Sequence, residues 1–88
     1  MARFIVVHSS PLEANQDQLF HAARQVTASL APGTEWRNSW ISAKERTLFC
    51  EWEAPDGDAI RASLEPVKNL FPIEMIYEVE WLDPRWYE

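Results

Sequence analysis

"TEWRNSWISAKERTLFCEWEA", residues 34–54, decides how this 88-residue chain folds. Thr34–Ser42 alternates apolar and polar residues, "AKER" is a short polar turn, and Thr47–Ala54 alternates again. Successive side chains on a strand leave on opposite faces, so two alternating runs joined by a short polar segment predict an antiparallel hairpin. Regular alternation puts Trp36, Asn38 and Trp40 on one face of the first strand, with Arg37 and Ser39 on the other. In the second strand, Leu48, Cys50 and Trp52 oppose Phe49, Glu51 and Glu53.

The flanks of the hairpin supply the rest. "RFIVVHS" (Arg3–Ser9) is short, β-branched and apolar, which predicts a buried strand, and "SPLEANQD" follows as a polar connection. "DQLFHAARQVTASLA" places Leu19, Ala23, Val26 and Leu30 at helical spacing with Phe20 beside them, until Pro32-Gly33 stops the helix. After the hairpin, Asp56 or Asp58 is a natural N-cap for a second helix whose stripe is Ile60, Leu64, Val67 and Phe71. Pro66 cannot donate an amide within it, so a kink or an end is expected near Leu64–Glu65. "IEMIYEVEWL" (Ile73–Leu82) predicts a fourth strand before the "DPRWYE" tail.

The order β-α-β-β-α-β predicts an α+β, ferredoxin-like single domain spanning residues 1–88. Two helices cover one face of a four-stranded antiparallel sheet and leave the other open. If the more apolar sets pack inward, Met75, Tyr77, Val79 and Trp81 lie beneath the helices. The open face then carries Glu51, Glu53, Glu78 and Glu80 with Phe49 and Ile76. A half acidic, half apolar sheet face is suited to a second subunit, so a homodimer of the dimeric α+β barrel kind is expected.

Composition narrows the function. A formal net charge of −6 with scattered Arg and Lys argues against nucleic acid as a partner. No apolar run approaches the ~20 residues that cross a bilayer, and the first residues lack the pattern of a signal peptide. Cys50 is the single cysteine, which excludes an intramolecular disulfide. These features lead us to expect a cytoplasmic protein without a membrane partner. Five Trp in a chain this short supply much buried area, or line a cavity or an interface.

Several segments resemble a known family. "WRNSWIS" follows the pattern W-x-x-S-[WY]-[IV]-S, and "RTLFCEWEAPDGDAIR", "IYEVEWLDPRWY" and the opening "RF-[ILV]-V" strand accompany it. Together they look like the DUF4242 family, whose members resemble nickel-binding, dimeric ferredoxin-like proteins. The resemblance covers roughly Trp36 to Tyr87 and implies the same fold, a homodimer and, for some members, a bound metal. His8 matches a His of the metal-binding relatives. Val6 stands where they carry an acid, Asn38 where they often carry His, and His21 is out of register with their helical His.

Two sets of candidate site residues follow. His8, Cys50 and Glu78 offer imidazole, thiolate and carboxylate, a set suited to nickel or zinc. Each also has an ordinary reading: His8 as a strand-end residue bonded to backbone, Cys50 as a buried free thiol, Glu78 as part of a solvated acidic face. Trp36, Asn38, Trp40 and Tyr77 are the candidate ligand pocket, because an amide between two indoles needs polar partners wherever it is buried. The reading we carry forward is a small homodimeric metal- or small-ligand-binding protein. A cofactor-independent monooxygenase or isomerase with a Trp/Asn-lined pocket is one alternative, and an interaction module without ligand is another. No phosphate loop, Cys-x-x-Cys pair or catalytic triad supports an enzyme assignment, and no catalytic residue is assigned.

Overall fold

The computed structural model describes residues 1–9 and 16–88, so most of the polar connection expected after the first strand lies outside the described residues. The elements run β1 (Ala2–Ser9), α1 (Gln16–Ala28), β2 (Glu35–Ser42), β3 (Thr47–Ala54), α2 (Gly57–Leu64) and β4 (Ile73–Val79). The strands form one antiparallel sheet in the order β2-β3-β1-β4. That is the expected βαββαβ, ferredoxin-like α+β architecture.

Local chemistry sets the boundaries. Asp56, in extended backbone, accepts the Ala59 amide at 2.8 Å and starts α2. Pro66 ends it: the chain tightens into a 3₁₀ turn at Glu65–Val67 directly after Leu64. Gly33 turns the chain from α1 into β2 with φ +72°, a conformation that a side chain would strain. At the hairpin, Arg46 takes φ 51°. β4 stops at Val79, three residues short of the expected end, and a second 3₁₀ turn at Pro84–Tyr87 is capped by Asp83.

The pairing registers lay the side chains out in rows across the sheet. Beneath the helices the rows are Ile41–Leu48–His8–Ile73, Ser39–Cys50–Val6–Ile76 and Trp36–Trp52–Phe4–Glu78, each read from β2 to β4. Phe4, Val6, Cys50, Trp52 and Ala54 are buried there against Ala22 and Val26 of α1 and Ile60 and Leu64 of α2, with Val67 and Phe71 closing one end. The opposite face carries Trp40–Phe49–Val7–Met75, Asn38–Glu51–Ile5–Tyr77 and Glu35–Glu53–Arg3–Val79.

Two facing assignments are corrected. Trp36 pairs with Trp52 but Asn38 pairs with Glu51, so β2 holds a bulge at Arg37. The extra residue reverses the alternation. Trp36 therefore faces the helices with Ser39 and Ile41, while Asn38 and Trp40 face the open side. On β4 the expected sides are exchanged: Ile76 packs on the core, and Met75 and Tyr77 stand about half exposed on the open face. Both faces of that strand carry apolar side chains, so apolarity alone could not choose between them.

Candidate functional site

α1 meets the sheet through small side chains. Ala22 and Ala23 are small, and a cavity of about 250 Å³, partly open to solvent, lies between α1 and the sheet. His8 of β1, Trp36 of β2, and Cys50 and Trp52 of β3 form its sheet wall; Leu19, Ala23 and Val26 form the helix wall. Leu64, Val67 and Phe71 close it from the α2 side. A neighbouring depression of about 180 Å³ shares Leu19, Ser39, Leu48 and Phe71 with it.

The wall's polar groups mostly bond one another. The Trp36 indole donates to Ser39 Oγ at 2.8 Å, and the Ser39 hydroxyl donates to Cys50 Sγ at 3.1 Å. The bulge makes this chain of bonds, since it brings residues 36 and 39 to the same face. His8 is fully buried, and its Nδ1 lies 3.1 Å from the Phe71 carbonyl. A carbonyl oxygen only accepts, so Nδ1 carries the proton and Nε2 is left as the acceptor. Burial pushes the His8 pKa below its ordinary value; the Phe71 and Pro72 carbonyls oppose that shift without cancelling it. The ring is therefore neutral at pH 7. Burial likewise raises the Cys50 thiol, the Ser39 bond opposing in part, so this cysteine is a poor nucleophile. Trp36 and Trp52 lie nearly parallel, 16° apart with centroids at 6.2 Å. Among the described residues, Trp52 Nε1 is the buried side-chain nitrogen or oxygen that has no hydrogen-bond partner.

The expected sites assemble only in part. Of the pocket set, Trp36 reaches the cavity. Asn38 is on the opposite face, donating to Glu51 Oε1 at 2.8 Å, and Trp40 and Tyr77 are exposed on that face. Of the metal set, His8 and Cys50 share the cavity. Glu78 pairs with Phe4, four residues along β1 from His8, which is ~13 Å at strand rise. Among the described residues, no group of three His, Cys, Asp or Glu is placed to hold a metal ion. Val6 is buried where an acid would be needed, Asn38 faces away, and His21 is exposed on α1. Two donors, His8 and Cys50, are too few for a nickel or zinc centre within one chain. Ser39 and Trp52 are the residues that the sequence reading missed. The signal was parity: Trp36 and Ile41 lie five apart, Trp52 and Leu48 four, and both pairs can face inward only across a bulge.

On the open face, the expected block of acids is broken up. Arg3 lies 3.2 Å from Glu51 and 3.1 Å from Glu53, so the two carboxylates are paired within the chain. Glu78 is on the other face, and Glu80 lies beyond the end of β4.

The profile of the family described as "Nickel responsive protein SCO4226-like" matches residues 4–82. The chain belongs to that family. The description is this one and not the DUF4242 label that the motifs suggested, although both concern nickel-related proteins. The chain is also similar to a solved structure, the crystal structure of SCO4226 from Streptomyces coelicolor A3(2), at 23% identity and a TM-score of 0.77. The alignment covers 93% of this chain and 100% of that one, and it shows that the fold of this SCO4226-like chain is shared. No curated protein matches. Among the described residues, no helix is long and apolar enough to cross a membrane.

Proposed function

We propose that this chain is a small-ligand-binding member of the nickel responsive SCO4226-like family, with the α1–sheet cavity as its site. One observation carries the reading: a partly open, almost wholly apolar cavity of about 250 Å³ lies between helix and sheet. A concave, mostly apolar space with few polar groups is the usual form of a small-molecule site. Apolar cavities of about 150 Å³ take up a benzene-sized guest, so this one suits a guest of about two rings. The protein works as a homodimer through the open sheet face, where Trp40, Phe49, Val7 and Met75 form an apolar row across all four strands. We assign no reaction to the cavity, because its thiol is held protonated.

The second reading is metal binding, nickel before zinc. It is favoured by the family's description and by His8, whose Nδ1–H anchor leaves Nε2 in the orientation a metal-ligating imidazole adopts. Further donors would have to come from outside this chain's cavity wall.

Calorimetric titration of the untagged protein with indane and, separately, with Ni²⁺ tests both. Saturable indane binding that Ala23→Leu abolishes by filling the cavity is the expected result. Stoichiometric Ni²⁺ binding lost in His8→Ala, with no indane uptake, would move the assignment to the metal. Neither ligand binding would sink both readings.

A further inference from the structure

Beside the cavity lies the depression of about 180 Å³ lined by Leu19, Ser39, Ile41, Leu48 and Phe71. All of these except Ile41 also line the cavity, so the two spaces meet along that boundary. Ser39 is exposed and Leu19 and Leu48 are half-buried, so the boundary is open to a guest. Ile41 belongs to the depression alone and is 57% exposed, which puts it at the outer end. Both linings are mostly apolar, and with His8 neutral no residue in either carries a charge. An ionised group placed there would be desolvated without a counter-charge.

We infer that the site takes an elongated, uncharged guest, with a compact ring-sized body in the cavity and an aliphatic chain of a few carbons laid along the depression against Ile41. A compact two-ring molecule fills only the first of these spaces and leaves the apolar lining of the second in contact with water. Burying one methylene is worth about fourfold in affinity where burial is complete, and correspondingly less in a half-open depression. This inference rests on the cavity being a ligand site, and adds the guest's shape and the side on which it leaves the protein.

The test uses a matched pair, indane and 5-n-propylindane, titrated against the wild type and Ile41→Ser. With wild-type protein the propyl compound should bind about tenfold tighter, the gain expected of a three-carbon chain about half buried. Ile41→Ser changes an exposed side chain that does not line the cavity, so folding and indane affinity should be unchanged. In that variant the advantage of the chain should drop to about threefold or less. A second measurement needs no variant. In the ¹H–¹³C methyl spectrum of the wild type, the Ile41 methyl resonances should shift with the propyl compound and not with indane. Equal affinities for the two probes, an advantage that Ile41→Ser leaves intact, or Ile41 methyls that the propyl compound does not move would overturn the elongated guest and leave the cavity reading standing. If neither probe binds the wild type, the cavity reading itself fails and this inference falls with it.

Discussion

Ser63→Ala is a small change with a large expected effect. Ser63 is fully buried on α2, where its hydroxyl accepts the Ala31 amide at 2.9 Å and donates to the Ala59 carbonyl at 2.8 Å. It thereby ties α2 to the segment between α1 and β2. Removing the oxygen has unequal consequences at the two ends. The Ala59 carbonyl sits inside a helix whose ladder already engages it. The Ala31 N–H loses its acceptor, at about 1–3 kcal/mol. Alanine's better helix propensity returns a few tenths of a kcal/mol, about 0.7 at most. A net loss of about 1–2 kcal/mol follows, which for a domain of this size lowers Tm by roughly 4–16 °C. Urea unfolding followed by tryptophan fluorescence measures it, with an unchanged m-value as the check that the end states are the same. Ser29→Ala is the control. Ser29 Oγ has one proton to donate, with the carbonyls of Gln25, Val26 and Ser63 all within reach, so its removal takes one donor from carbonyl acceptors and orphans no buried N–H. It should cost less than about 1 kcal/mol. If Ser63→Ala proves no more destabilising than Ser29→Ala, the unequal cost of losing donor and acceptor is not what holds this junction.

Two other expectations can be checked on the same protein. Because burial lowers the folded-state pKa of His8, the unfolded chain binds a proton that the native ring refuses, at pH values between the folded value and the ordinary ~6.5. Stability is therefore flat above that window and falls as pH drops through it; denaturation midpoints at about pH 7.5 and 5.5 should differ more in wild type than in His8→Gln, and equal differences would remove His8 as the cause. Asp56→Ala removes the cap that accepts the Ala59 amide and should cost about 1 kcal/mol in the same urea assay, whereas Asp56→Asn should keep most of it. A cost near zero for Asp56→Ala would mean that α2 is held by packing alone.

The fold was legible because its signals are local and redundant. Period-two runs, one helical stripe ending at Pro32-Gly33 and another interrupted by Pro66 left few other ways to order the elements, and the Asp56 cap and the stop at Leu64 appear as expected. Facing was less legible. Phe20, grouped with the α1 stripe, is 65% exposed with the Arg24 guanidinium over its ring, while Ala22, outside that stripe, is buried. Small residues that meet a sheet closely leave no hydrophobic peak in the pattern. The site suffered most, because one bulge without glycine or proline to announce it moved Asn38 and Trp40 away from Trp36. Sharing a strand with alternating spacing was therefore not enough to place three residues at one site. His8 and Cys50, by contrast, do reach one cavity, since β1 and β3 are neighbours in any sheet of this order.

The Arg37 bulge has one more effect. β2 is an edge of the sheet, eight residues long, and most of it is exposed, including Trp40 and Ile41. A straight strand with that composition is a template onto which another chain can add, the first step toward stacked, insoluble assemblies. The extra residue breaks the regular spacing of free amides and carbonyls along that rim, and the Arg37–Glu35 ion pair places both charges beside the break. The irregularity that gives the cavity its Trp36–Ser39–Cys50 wall thus also keeps the chain's most exposed edge from recruiting strands at random.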